Sequence, residues 1–204
     1  MADVRDHWER VYTAKAETDL SWYRRHSDRS LDLVAAAAGL ATPIVDIGGG
    51  ASTLVDDLLA RGFLDVTVLD VAEAALSKSK ARLGVGTDKV SWIVADITTW
   101  QPARRYGVWH DRAVFHFLTA DSDQTAYVAA LRAGTAPGAT VVMAAFAPDG
   151  PERCSGLPVQ RYSPQALAGR LGPPFALIDA HRESHRTPWG AEQMFSYAVL
   201  RRMD

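Results

Sequence analysis

Ile44-Val45-Asp46-Ile47-Gly48-Gly49-Gly50-Ala51-Ser52 reads as a buried apolar strand that runs into a glycine turn and then opens a helix. In a parallel sheet, ligands settle at such turns beyond the carboxyl ends of the strands. Glycines there let ligand atoms approach the backbone without interference from Cβ. A glycine turn alone does not name its ligand, so the neighbouring acids carry the discrimination. Asp46 stands two residues before the first glycine, where its charge would repel a pyrophosphate but suits a ligand bearing an ammonium and a sulfonium. Asp70, followed by Val71, ends the next strand (Val66-Thr67-Val68-Leu69-Asp70), 20 residues beyond Gly50. An acid so placed accepts from both hydroxyls of a ribose, a feature that nicotinamide sites share. Asp96 ends a third strand (Trp92-Ile93-Val94-Ala95-Asp96), where it can accept from an adenine amino group while the amide of Ile97 donates to the ring. Three acids at three successive strand ends form one wall.

Outward from this core the chain alternates. Strands are expected at 43–47, 65–70, 90–95, 106–114 and 139–146, each a short β-branched or aromatic run bounded by turn residues. Helical stripes lie between them at 52–61, 72–83 and 122–134. Five βα repeats demand a parallel sheet covered on both faces. Ser163-Pro164 opens a short helix to about Leu171, and two strands, 175–182 and 194–201, follow with no helix between them. At the other end, Val4, Trp8, Val11 and Tyr12 mark an amphipathic helix from Asp3 to about Ala16. A second helix, capped by Ser27 or Asp28, is expected to stop at a left-handed Gly39. The expected architecture is α/β, a Rossmann-like doubly wound sheet, mostly parallel, with a C-terminal antiparallel β-hairpin and added N-terminal helices. One domain spans 1–204, with a helical cap over about 1–40 and a substrate loop over about 147–162.

The 204 residues are 48% hydrophobic and 23% charged, as in soluble globular proteins. A net charge of −2, with the doublets Arg24-Arg25, Arg104-Arg105 and Arg201-Arg202 scattered, offers no basic face for nucleic acid or anionic membranes. The longest apolar run, Leu33 to Leu40, falls short of the ~20 residues that span a bilayer. A single cysteine and no signal-peptide pattern lead us to expect the reducing cytoplasm.

Over nearly the whole chain the sequence resembles class I S-adenosylmethionine-dependent methyltransferases. Their acid followed by Gly-x-Gly-x-Gly matches Asp46, Gly48 and Gly50, with Gly49 between, while Ser52 stands in place of the last glycine and can act as a helix cap. The pattern Trp8, Val11-Tyr12, Ser21-Trp22-Tyr23 is similar to the segment that closes over the cofactor in the thiopurine-methyltransferase-like and small lysine-methyltransferase-like branches. The resemblance implies S-adenosyl-L-methionine as donor, S-adenosyl-L-homocysteine as product, and Trp22 or Tyr23 as the cover. Trp8 is read as a core anchor of the first helix.

The acceptor is expected beyond the fourth strand, Val108-Trp109-His110-Asp111-Arg112-Ala113-Val114-Phe115-His116. The Asn/Asp-Pro-Pro-Tyr pattern of nucleic-acid amino methylases is absent. His116 has the chemistry of a general base, and Asp111 could orient it, contact the cofactor or contact the acceptor. Equally, His110 and Asp111 are partly buried strand residues paired with Arg112. Arg112, Tyr23 and, from the long loop after the fifth strand, Arg153, Cys154, Arg161 and Tyr162 are candidate acceptor contacts. His181 and His185 with Cys154 reproduce no zinc spacing, and no metal is expected. A short, nearly neutral chain carrying its own lid favours a small-molecule acceptor. The alternatives are a protein lysine methyltransferase, a non-catalytic module that binds the donor or its demethylated product, and, more distantly, a nicotinamide oxidoreductase. Either a monomer or a homodimer fits.

Overall fold

A computed structural model describes residues 2–204, leaving Met1 of the expected cap outside the described residues. In chain order the elements are α1 (Ala2–Ala14), α2 (Asp28–Ala37), β1 (Ile44–Ile47), α3 (Leu54–Ala60), β2 (Val66–Asp70), α4 (Glu73–Leu83), β3 (Val90–Val94), β4 (Tyr106–Arg112), α5 (Asp121–Gly134) and β5 (Thr135–Phe146). There follow a short pair, β6 (Arg153–Cys154) and β7 (Leu157–Pro158), then α6 (Pro164–Leu171), β8 (Phe175–Arg186) and β9 (Glu192–Arg202). Seven strands form one sheet in the order β3-β2-β1-β4-β5-β9-β8. It is parallel from β3 to β5 and antiparallel where β9 meets β5 and β8. The chain winds outward from β1 to β3 and returns to β4, so a crevice opens at the carboxyl ends of β1 and β4, where the winding reverses.

Strand periodicity sends alternate side chains to opposite faces, and this decides what each site residue can reach. Val45, Ile47, Trp109, Val141 and Met143 pack on α5 and α6, while Ile44, Val66, Val68 and Val108 pack on α2, α3 and α4. Asp46 therefore shares a face with its register partner His110, and Ile47 shares the opposite face with Asp111. Among the described residues no helix is long and apolar enough to cross a membrane.

Several boundaries differ from the sequence expectation. Strand β4 stops at Arg112, short of Val114, because Ala113 turns left-handed at φ 74°. Strand β3 ends at Val94 because Asp96 opens a turn of its own. Helix α2 ends with Ala38 extended, and Gly39 is not left-handed. Ser27 does not cap it by its side chain: the Ser27 amide and hydroxyl are engaged by Asp57 and Thr53. Ser163 does cap α6, its Oγ accepting from the Ala166 amide, with Pro164 in the first turn. The expected structureless loop at 147–162 contains the small β6–β7 hairpin.

Candidate functional site

Two adjoining hollows occupy the crevice. The larger holds about 130 Å³ of enclosed space, or about 900 Å³ counted out through its open mouth. Asp70, Val71, Asp96 and Ile97 line one end, and Phe146, Cys154, Gln193 and Phe195 the other. The smaller is walled by Ser30, Asp46, Gly49, Ser52, Thr53, Tyr23 and His110. Trp22, Ile47, Gly48 and Arg112 belong to both.

The glycine turn is built around its acids. Gly48 sits at φ +67°, and a Cβ there would come within 2.0 Å of Val114 Cγ2. A Cβ on Gly50 would meet Ala75 at 2.4 Å and Asp70 Oδ2 at 2.5 Å. The open approach lets the Gly50 amide donate to Asp70 Oδ2 at 3.1 Å, while Ala72 donates to Oδ1 at 2.9 Å. Burial pushes the Asp70 carboxyl up to about 6, against the pull of these amides. Ser52 Oγ accepts from the Leu54 amide at 3.1 Å, one turn-residue ahead of α3. Asp96 Oδ1 accepts from the Thr98 amide at 2.9 Å and its hydroxyl at 2.7 Å, an Asx turn that presents Ile97 to the larger hollow.

In the smaller hollow the shared face of β1 and β4 brings three polar groups into line. His110 Nδ1 lies 2.6 Å from Asp46 Oδ1, and His110 Nε2 lies 2.8 Å from Ser30 Oγ on α2. All three residues are buried, and Asp46 Oδ2 is buried without a hydrogen-bond partner. With the imidazole donating from Nδ1 and accepting from the serine hydroxyl, Asp46 keeps one oxygen without a donor, an acceptor suited to an ammonium.

The roof is the N-terminal segment. Glu9 accepts from the Glu73 and Ala74 amides at 2.7 and 3.1 Å, placing a carboxylate on the first turn of α4. Arg82 binds Asp56 and, with both oxygens at 2.8 Å, Glu17. So anchored, Trp22 meets Trp8 and Tyr12 edge to face over the larger hollow, with Phe117 5.1 Å from Trp8. Trp8 is thus a core anchor and a wall at once. Farther along, the Ser21–Arg24 segment docks on β8: His185 Nε2 meets the Ser21 carbonyl at 2.6 Å, and Arg24 pairs with Glu183 at 2.8 Å.

Of the expected site residues, the structure brings Trp22, Tyr23, Asp46, Gly48, Gly49, Asp70, Val71, Asp96, Ile97, Arg112 and Cys154 to these hollows. Gly50 supports them through Asp70. It removes others. Asp111 faces α5, fully buried, accepting from the Tyr127 hydroxyl at 2.6 Å and the Val114 amide at 2.9 Å. Strand parity places it on the face opposite Asp46, and His110 pairs with Asp46 instead of Arg112. His116 is enclosed between Phe117 and Phe146, its Nδ1 facing the Phe146 amide at 3.4 Å. Burial lowers its imidazole to about 3, unsuited to a base near neutrality. Arg153 and Arg161 bind carbonyls within their own loop, and Tyr162 packs on Phe115 in the opposite core. His185 is held by Arg24 and Ser21, and among the described residues no three His, Cys, Asp or Glu side chains gather for a metal.

Sequence reasoning missed Ser30, Gln193 and Phe195. Ser30 carried no local signal, since its role depends on how α2 crosses β4. Gln193 and Phe195 follow from the hairpin: an antiparallel β9 must start beside the end of β5, and Phe195 pairs with Phe146 in register.

Residues 44–138 match the family described as a methyltransferase domain. A solved 1,6-didemethyltoxoflavin-N1-methyltransferase from Burkholderia thailandensis is 18% identical, with all of this chain and 85% of that chain covered at a TM-score of 0.71. A solved structure concerned with conversion of a disulfide bond into a thioacetal group during echinomycin biosynthesis is 18% identical, covering 98% of this chain and 92% of that chain at a TM-score of 0.78. The mouse eEF1A lysine and N-terminal methyltransferase is 24% identical over 58% of this chain, and the match spans only 17% of that relative's length. The mostly parallel sheet closed by an antiparallel hairpin is the Rossmann-like methyltransferase fold.

Proposed function

We propose that this chain, a class I S-adenosylmethionine-dependent methyltransferase, transfers the donor's methyl group to a small molecule. The observation that carries the acceptor reading is the roofed, largely aromatic hollow: Trp8, Tyr12 and Trp22 cover it from above, and Phe146 and Phe195 close its far end. Such a chamber suits a compact acceptor better than a side chain presented on a folded surface.

In this reading the nucleoside of the donor lies along Asp70 and Asp96, with the ribose hydroxyls donating to Asp70 and the adenine beside Ile97. The ammonium meets Asp46 Oδ2 in the smaller hollow. Gly48 and Arg112, shared by both hollows, mark where the sulfonium passes between them. The sulfonium supplies an activated methyl carbon, so the protein's task is to align a nucleophile with it and to exclude water. The cytoplasm is the compartment we propose, since one cysteine offers no disulfide framework.

Identity to the mouse lysine methyltransferase supports a second reading, a protein side chain as acceptor. Incubation with methyl-labelled S-adenosylmethionine and a lysate, followed by separation of protein from metabolites, tests the choice. Label is expected in the metabolite fraction; label confined to protein overturns the small-molecule reading.

A further inference from the structure

Ser30 lies inside α2, only 2% exposed, where a serine hydroxyl commonly turns back to a carbonyl of its own helix. This one reaches across to β4 instead. Its one hydrogen-bond partner among the described residues is His110 Nε2, at 2.8 Å. On the other side of the ring, Nδ1 lies 2.6 Å from Asp46 Oδ1. An ionised carboxylate only accepts, so Nδ1 is the nitrogen that carries the proton. The serine proton in turn needs a lone pair, and Nε2 supplies it. A second proton on the ring would leave the hydroxyl proton buried without an acceptor, a costly arrangement. Ser30 therefore selects one form of His110, neutral and protonated at Nδ1.

Serine, histidine and aspartate in this order are also the parts of a nucleophile relay, but the surroundings do not serve one. The Gly48 and Gly49 amides donate to the Leu69 carbonyl at 2.7 and 3.3 Å, and the Gly50 amide donates to Asp70. None of the three is left for an oxyanion. The chain of contacts aims Asp46 instead. Its Oδ2 lies under the glycine turn, where a Cβ on Gly49 would come within 2.2 Å of it, and it is buried without a partner among the described residues. The other charged or titratable side chains of the smaller hollow are Tyr23, Arg24 and Arg112. Arg24 is bound to Glu183 and His185, and Arg112 to the Tyr197 hydroxyl. Asp70 faces Asp46 from β2, and Asp111 adjoins His110 on the opposite face of the sheet.

An imidazolium against Oδ1 would give Asp46 a resident counter-charge, and a second cation arriving at Oδ2 would be repelled. We propose that Ser30 is a positioning residue for the donor: by holding His110 neutral it keeps Asp46 free for an ammonium, and so sets the preference for ligands that carry one. This inference deepens the donor pose given above and rests on it.

The test compares S-adenosylhomocysteine with 5′-methylthioadenosine, which keeps the nucleoside and lacks the ammonium, by calorimetry at neutral pH. Taking the ratio of the two affinities cancels any change at Asp70, which both ligands meet. Wild type should favour S-adenosylhomocysteine at least about tenfold. Ser30→Ala should cut that preference roughly fivefold to tenfold, with 5′-methylthioadenosine binding within about twofold of wild type. Imidazole nitrogen NMR shifts, assigned by the signal lost in His110→Gln, give the second readout. Wild-type His110 should carry a proton on Nδ1 and none on Nε2, and in Ser30→Ala the Nε2 should be protonated in part. An unchanged preference in Ser30→Ala, or a bare Nε2 in both proteins, would overturn the proposal. So would a wild-type ring protonated on both nitrogens, a result that needs no variant. Failure of the donor pose has a different signature: wild type would bind the two ligands alike while His110 kept its single tautomer.

Discussion

The amide of Gly50 donates to the carboxylate of Asp70 across 3.1 Å, joining the tip of the glycine turn to the end of the neighbouring strand. With the carboxyl raised to about 6 by burial, the free protein holds a proton there in mild acid. A carboxyl raised in the native state contributes stability that is present at low pH and lost as pH rises through about 6. Ribose hydroxyls donate to the ionised form, so donor binding should release a proton and tighten about tenfold from about pH 5 to about pH 7. Calorimetry in buffers of different ionisation enthalpy reads both effects. Flat affinity over that range would remove Asp70 from the donor site.

Substitution of the glycine itself should be felt at the same place. A Gly50→Ala side chain would stand 2.4 Å from Ala75 Cβ, a collision between groups that cannot swing aside. Donor affinity should fall by at least roughly tenfold, measured by titration with S-adenosylhomocysteine.

His110 is expected to act through Asp46. Replacing it by Phe removes the 2.6 Å partner of Asp46 and the 2.8 Å contact to Ser30. S-adenosylhomocysteine should bind roughly tenfold to a hundredfold more weakly, while 5′-methylthioadenosine, which lacks the amino-acid end, should bind as before. Equal losses for both ligands would mean that the substitution acts on the fold.

Asp111 should be a stability residue. Its carboxylate holds the Tyr127 hydroxyl and the turn amides of Val114 and Phe115, and Asp111→Ala leaves these donors buried without an acceptor. A loss of about 2–4 kcal/mol is expected in urea unfolding. A variant of wild-type stability would contradict this role.

His116 should be dispensable for turnover. Its imidazole, lowered to about 3 by burial, stays neutral in the native state at all but strongly acidic pH, whereas in the unfolded chain it takes up a proton below about pH 6.5. Stability drawn from this residue is therefore lost as pH falls from about 6.5 towards 3. His116→Gln should keep turnover within about threefold and unfold less readily on acidification, relative to its own stability at neutral pH. A large fall in kcat would restore His116 as a base.

What was legible in the sequence was whatever repeats or sits next to its partner in the chain. The strand and helix periods gave the parallel sheet and its closing hairpin, and the spacing of Asp46, Asp70 and Asp96 gave the line of acids. Face assignment stayed open where a single position decides it: His110 and Asp111 are neighbours in sequence and lie on opposite sides of the sheet. The same holds for His116, whose place in a 3₁₀ turn follows from the left-handed Ala113, a conformation that alanine does not advertise. Contacts between distant segments, such as Ser30 with His110, left no trace in composition or spacing.

Strand β9, the final strand in sequence, does not lie at the sheet's edge but is wedged between β5 and β8. The inner edge of β5 and the inner edge of β8 therefore both stay unpaired until β9 inserts between them. Until it does, the wall of the larger hollow that carries Gln193 and Phe195 is missing. A chain lacking residues 192–202 would leave two strand edges unpaired, an exposed template for pairing with other chains.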